Sequence, residues 1–100
     1  MSVLLIDDDP GIRKLLGREL SRRAELDVET AAGGEQGLAL LDRLGFDVVV
    51  CDVRMPDMDG LEVLKRIKER EPDITEVIML TGHGTIDSAI EAIKAGAYHY

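Results

Sequence analysis

A chain of one hundred residues, 45% hydrophobic and 32% charged, can close one small domain around a single core. Its net charge of −8 argues against gripping a phosphate backbone, which needs clustered Lys and Arg, so no direct nucleic-acid binding is expected. The single cysteine excludes an internal disulfide and suits a reducing compartment; "MSVLLIDDD" has no basic start, and no stretch reaches the roughly 18 apolar residues of a membrane helix, so a cytoplasmic location is expected.

The first element is a short apolar run, Val3-Leu4-Leu5-Ile6, which reads as a strand and stops at Asp7-Asp8-Asp9. A helical pattern follows through Asp9-Pro10, with Ile12, Leu15, Leu16 and Leu20 on one face; Asp as N-cap and Pro at the first helical position is a strong start signal. Residues Asp27 to Ala32 read as a second strand. Leu38, Leu41 and Leu44 stripe a second helix that stops at Gly45. Residues Asp47 to Cys51 form a third strand, whose continuous valines predict burial on both faces. A third helix carries Leu61, Leu64 and Ile67 and ends at Glu71-Pro72. Val77 to Leu80 is a fourth strand, and Ile86, Ala89, Ile90 and Ile93 line a fourth helix closed by Gly96. Ala97 to Tyr100 begins a fifth strand.

Strand–helix alternation with near-continuous apolar strands predicts an α/β fold, a doubly wound parallel sheet with helices on both faces and right-handed crossovers. No linker or charge block divides the chain, so residues 1–100 are expected to be one domain. With its fifth strand barely begun and no helix after it, the chain is expected to be C-terminally incomplete, a piece of a longer protein.

Sites in such sheets form at the carboxyl ends of strands, near the topological switch point. There the sequence places Asp7-Asp8-Asp9, then Asp52 after "FDVVVC", then Thr81-Gly82-His83-Gly84. If the first and third strands are neighbours, Asp7, Asp8 and Asp52 converge. Two carboxylates about 4 Å apart repel by roughly 4 kcal/mol at an effective dielectric of 20, so the cluster calls for a cation. Oxygen ligands without His or Cys select a hard ion such as Mg²⁺. A carboxylate beside such an ion can act as a nucleophile and form an acyl phosphate.

"VLLIDDDPGIRK", "VVVCDVRMPDMDGLEVL", "VIMLTGHG" and "AIKAGAYHY" resemble, in order and spacing, the response-regulator receiver domains of bacterial two-component signalling. The likeness runs the whole chain, and "LTGHGTIDSAIEAIKAGAYHY" is most similar to receivers joined to enhancer-binding transcription activators. The resemblance implies a flavodoxin-like receiver fold, strand order 2-1-3-4-5, with the fifth strand and last helix truncated here. It implies that Asp52 is the phosphoacceptor and Asp8 a direct Mg²⁺ ligand, with Asp7 holding the ion through water and the backbone carbonyl of Arg54 completing the protein ligands. It also implies that Thr81 contacts the phosphoryl group and moves with Tyr100 as the switch, and that Arg54 and His83 tune the lifetime of the acyl phosphate. The implied partners are a sensor histidine kinase and the protein's own C-terminal output domain, with a possible homodimer. The family's phosphate-contacting lysine and final helix fall beyond Tyr100. The chain as it stands is therefore expected to bind metal, to couple weakly to Thr81, and to leave part of the first helix's apolar stripe exposed.

Plainer roles stand beside these. Asp7 to Asp9 can serve only as a helix cap, Asp52 as a turn former, and Thr81 as a strand-end hydrogen bonder. Met55-Pro56-Asp57-Met58-Asp59-Gly60 is turn chemistry, with Asp59 capping the third helix and no catalytic role for Asp57 or Asp59. His83 reads as an exposed loop residue, Tyr98 and His99 as strand residues. "KRIKERE" and "GRELSRR" read as solvated helix faces with i,i+4 pairs. Three functions remain open. The first is a phosphoacceptor switch that is not an enzyme. The second is a Mg²⁺-dependent phosphatase, for which the second Asp common two residues after the nucleophile is replaced by Arg54. The third is a receiver-like module never phosphorylated.

Overall fold

Residues 1–70 and 76–80 are described by the structure, a computed structural model. Within them four strands, β1 (Ser2–Ile6), β2 (Asp27–Ala31), β3 (Val48–Asp52) and β4 (Glu76–Leu80), pair in parallel in the order β2-β1-β3-β4. Three helices connect them: α1 (Pro10–Ser21), α2 (Gly34–Leu44) and α3 (Gly60–Arg70). The order departs from sequence order between β2 and β3, with β1 between them, so the strand-end crevice opens where the sequence rule placed it. The expected fourth helix and fifth strand lie outside the described residues.

The starts of α1 and α3 follow local chemistry. Asp9 is extended and its carboxylate accepts from the Gly11 and Ile12 amides at 2.8 and 3.2 Å, with Pro10 at the first helical position. Asp59 accepts from the Glu62 amide at 3.0 Å, as expected of a cap for α3. Gly45 ends α2 with φ 66°, a left-handed conformation that glycine adopts without cost. The charged helix faces carry Arg66–Glu62 at 3.1 Å and Arg22–Glu19 at 3.6 Å, while Arg70 reaches from α3 to Asp42 on α2 at 2.8 Å.

The pleat of the sheet sorts its residues into two unequal faces. Leu4, Ile6, Ala31, Val49, Cys51, Val77 and Met79 join Leu38 and Leu41 of α2 and Val63, Leu64 and Ile67 of α3 in one continuous core. Full burial of such a side chain is worth about 1.5–3 kcal/mol. The opposite face, toward α1, is covered less well. Val3 and Leu5 are buried there, but Val48, Val50 and Ile78 are only half-buried.

Two expectations are corrected here, those for β3 and for Leu44, and one, for α1, is met. β3 is buried on one face only, because α1 leans on β2 and β1 and leaves the Val48–Val50 side partly open. The α1 stripe contributes no fully buried residue: Ile12 and Leu15 are exposed and Leu16 and Leu20 half-buried, as the expectation of an uncovered first helix anticipated. Leu44 is 56% exposed, because two i+3 steps from Leu38 carry it about 120° round the helix and away from the sheet.

Gly60 leaves no room for a side chain. Its amide donates to the Val53 carbonyl at 2.6 Å, and a Cβ there would strike the Asp52 carbonyl oxygen, with the Val53 Cα at 2.8 Å. Both obstacles are backbone and cannot swing aside. Gly60→Ala is expected to cost about 3 kcal/mol, the top of the usual overpacking range, read as a lowered urea midpoint with unchanged slope.

Candidate functional site

The register of the sheet brings the acids together. Ile6 lies opposite Cys51, so the next residues along the two strands, Asp7 and Asp52, leave their adjacent ends side by side. Asp7, Asp8 and Asp52 each offer a carboxylate oxygen, and these three atoms lie within 4.8 Å of one another. The condition set by the sequence, that the first and third strands be neighbours, is met.

Asp7 is 3% exposed, whereas Asp8 and Asp52 are half-buried. Its carboxylate accepts from the Asp9 amide at 2.9 Å, its amide donates to Ala31 at 3.1 Å, and its carbonyl accepts from the Arg13 guanidinium at 2.8 Å. Burial raises the Asp7 pKa above its ordinary value, opposed by the Asp9 hydrogen bond and reinforced by the charges of Asp52 and Asp8. Each pair of unit charges at this spacing repels by about 3 kcal/mol at an effective dielectric of 20. Arg13 spends a guanidinium hydrogen bond on a carbonyl beside the cluster, a neighbour the sequence reading did not single out.

Asp52 shares its pleat parity with Val48 and Val50, the half-open side of β3, and this is how a valine run can end on a carboxylate. Its Oδ1 accepts a long, 3.4 Å hydrogen bond from the Arg54 amide. Asp8, Ile12, Asp52, Arg54, Met55 and Asp59 line an open cleft above the strand ends. Cys51, one residue away, is no rival nucleophile. Burial, with the charge of Asp52 added, pushes its thiol up and keeps it protonated.

Three carboxylates with no His or Cys among them form a hard, oxygen-only donor set, and the acidic pocket can hold a metal ion. Of the other residues assigned by resemblance, Arg54 is exposed on the cleft wall, and Thr81, His83 and Tyr100 lie outside the described residues. Asp57, given only a turn role by the sequence, is tied elsewhere: its two carboxylate oxygens accept from the Gly34 and Glu35 amides at 3.2 and 3.0 Å. The signal for it was a helix start at Gly33-Gly34 with no side chain able to cap it.

Comparison with known proteins agrees with the geometry. The family model "Response regulator receiver domain" matches residues 3–100. The transcriptional regulatory protein GlrR of Escherichia coli is 41% identical over 98% of this chain, and the DNA-binding transcriptional regulator NtrC of Salmonella typhimurium 43% identical over 98%. The chain spans only about a fifth of these relatives, 22% and 20% of their lengths. Among solved structures, the Vibrio cholerae chemotaxis protein CheY4 superposes with a TM-score of 0.89 at 34% identity, covering 98% of this chain and 82% of that one. The receiver domain of NtrX from Brucella abortus gives 0.86 at 33% identity, covering 97% and 81%.

Proposed function

Since the chain belongs to the response regulator receiver domain family, we propose that it takes a phosphoryl group onto Asp52 from the phosphohistidine of a sensor kinase and acts as a signalling switch rather than as an enzyme. The observation that carries this reading is the convergence of Asp7, Asp8 and Asp52 at the adjacent ends of β1 and β3.

In this reading Asp8 and Asp52 would hold a Mg²⁺ ion, with Asp7 and the Arg54 carbonyl as the further protein groups of the site. When bound, the ion neutralises the carboxylates and the charge on the phosphoryl oxygens. The chain's own part is positional. An Asp52 carboxylate oxygen forms the new bond to phosphorus as the phosphorus–nitrogen bond of the phosphohistidine breaks, and the pair of electrons leaves with the imidazole. The product is an acyl phosphate on Asp52. The half-open face of β3 leaves that oxygen reachable from the cleft, while the buried Asp7 is not exposed to a donor.

The added charge then shifts the balance between two conformations, with Thr81 and Tyr100 as the switch and Arg54 and His83 setting the acyl phosphate's lifetime. The output is a changed contact with a C-terminal output domain or a second copy of the chain, and through it control of transcription in the cytoplasm. Likeness to NtrC and GlrR, transcriptional regulators by name, supports that direction. Likeness to the BeF3-activated DrrB receiver domain, 36% identical with a TM-score of 0.85, supports a two-state switch that is activated at the acidic site.

Incubation with a small phosphodonor and Mg²⁺, followed by intact-mass measurement, tests the proposal. One acid-stable, base-labile phosphoryl adduct per chain is expected. Continuous phosphate release from a monoester would instead make the chain a phosphatase, and the absence of any Mg²⁺-dependent change would make it an inert module.

A further inference from the structure

The amino end of α2 is built without a cap of its own. Gly33, at the cap position, has no side chain to offer, and the Gly34 and Glu35 amides would lack acceptors if α2 were isolated. Both are served by the carboxylate of Asp57, over twenty residues away in the chain, one oxygen to each. Gln36 completes the end by accepting from the Ala32 amide at 2.9 Å. The glycines make room for this arrangement: a Cβ at Gly33 would lie 2.8 Å from the Asp57 Oδ1, and one at Gly34 would lie 2.9 Å from the Met58 Cβ and the Val63 Cγ2. The hydrogen bonds hold the Asp57 carboxylate ionised, led by that from Glu35.

Asp57 lies in the segment between Asp52 and Gly60, the segment that carries Arg54. The Gly60–Val53 hydrogen bond ties the two ends of this segment together, and Val53 and Met55 are buried. Between those ends, Asp57 ties it to the amino end of α2. The same end of α2 grows from Ala31 and Ala32, and the Ala31 carbonyl accepts from the Asp7 amide at 3.1 Å. Asp8, Gly33, Gln36 and Asp57 share one groove. The acids are therefore joined by two routes, directly across β1 and β3, and around the rim through Ala31, α2 and Asp57.

We infer that Asp57 is a positioning residue for the metal site: by clamping the segment after β3 onto the amino end of α2, it holds Arg54 and Asp52 where a divalent cation requires them, and couples the placement of α2 to occupancy of the site. This rests on the metal-site reading above, because the clamp acts through Arg54 and Asp52. Coupling of this kind is reciprocal: the factor by which the clamp strengthens cation binding is the factor by which the cation strengthens the clamp.

The test uses ¹⁵N-labelled chain and Mg²⁺ alone. Dissociation constants are read from the Asp8 and Arg54 amide shifts, and clamp opening from hydrogen exchange at the Gly34 and Glu35 amides. Mg²⁺ is expected to slow exchange at both amides. Asp57→Ala is expected to weaken Mg²⁺ by about fivefold or more and to abolish that Mg²⁺-dependent slowing. Asp57→Asn, which keeps one acceptor oxygen, falls between, and Gly33→Ala, which displaces the carboxylate without removing it, resembles Asp57→Ala. Those two variants decide the matter should Asp57→Ala not fold. A residue that only stabilised the fold would lower the melting temperature and leave Mg²⁺ affinity unchanged. Affinity within about twofold of wild type, with protection insensitive to Mg²⁺, overturns the clamp alone. A wild-type chain that does not respond to Mg²⁺ overturns the metal-site reading and this inference with it.

Discussion

Asp52→Asn is expected to abolish phosphoryl uptake outright while leaving the fold intact. The amide oxygen of Asn can still accept from the Arg54 amide, so the local turn keeps its 3.4 Å hydrogen bond. What is lost is the anionic nucleophile. A carboxamide oxygen is too weak to displace the phosphorus–nitrogen bond, and neither neighbour replaces it: Cys51 is buried and held as the thiol, and Asp7 is 3% exposed. Asp8, the half-buried carboxylate left in the cluster, is expected to carry no adduct, which peptide mapping checks. The measurement is intact mass and peptide mapping after a small phosphodonor with Mg²⁺. A full-rate adduct in Asp52→Asn would remove Asp52 from its assigned role.

The second large effect is on stability without metal. Asp7 has a raised folded pKa, so the native state binds a proton there more readily than the unfolded chain does. Its contribution is therefore most favourable below the ordinary value of 3.8, and is lost as pH rises through the folded value. At neutral pH the metal-free chain carries the full penalty. Asp7→Asn removes the charge and keeps the acceptor for the Asp9 amide, so it is expected to stabilise the metal-free protein at pH 7. The same substitution should blunt or abolish stabilisation by Mg²⁺, which in wild type reaches about 2.7 kcal/mol at one hundred times the dissociation constant. Asp57 has the opposite sign. Its folded pKa is lowered, so its contribution is present above 3.8 and lost as pH falls through the folded value. Differences between wild type and Asp7→Asn should therefore grow above pH 4, and those with Asp57→Asn should shrink in acid. Urea melts across pH, with and without Mg²⁺, check both signs.

Most of the site was legible because it sits where short-range rules meet a topological one. Asp9-Pro10 and Asp59 announced their helices, and the apolar runs ending at Asp7 and Asp52 announced strands whose ends carry acids. The neighbour relation of β1 and β3 had to be supplied by resemblance, since no local pattern specifies which parallel strands pair. The half-open face of β3 was misread because a run of valines looks the same whether one face or both are covered. Asp57 was missed for a deeper reason: its partners lie more than twenty residues away, and turn chemistry already accounted for it. Only the paired glycines at the start of α2 hinted that another segment was packed there.

The single most direct measurement is a Mg²⁺ titration of ¹⁵N-labelled wild-type chain, followed by amide shifts residue by residue. One saturable site is predicted, with its largest shifts at Asp7, Asp8, Asp52 and Arg54 and with the response lost in Asp52→Asn. No saturable binding, or shifts centred on some other acidic surface, would contradict it.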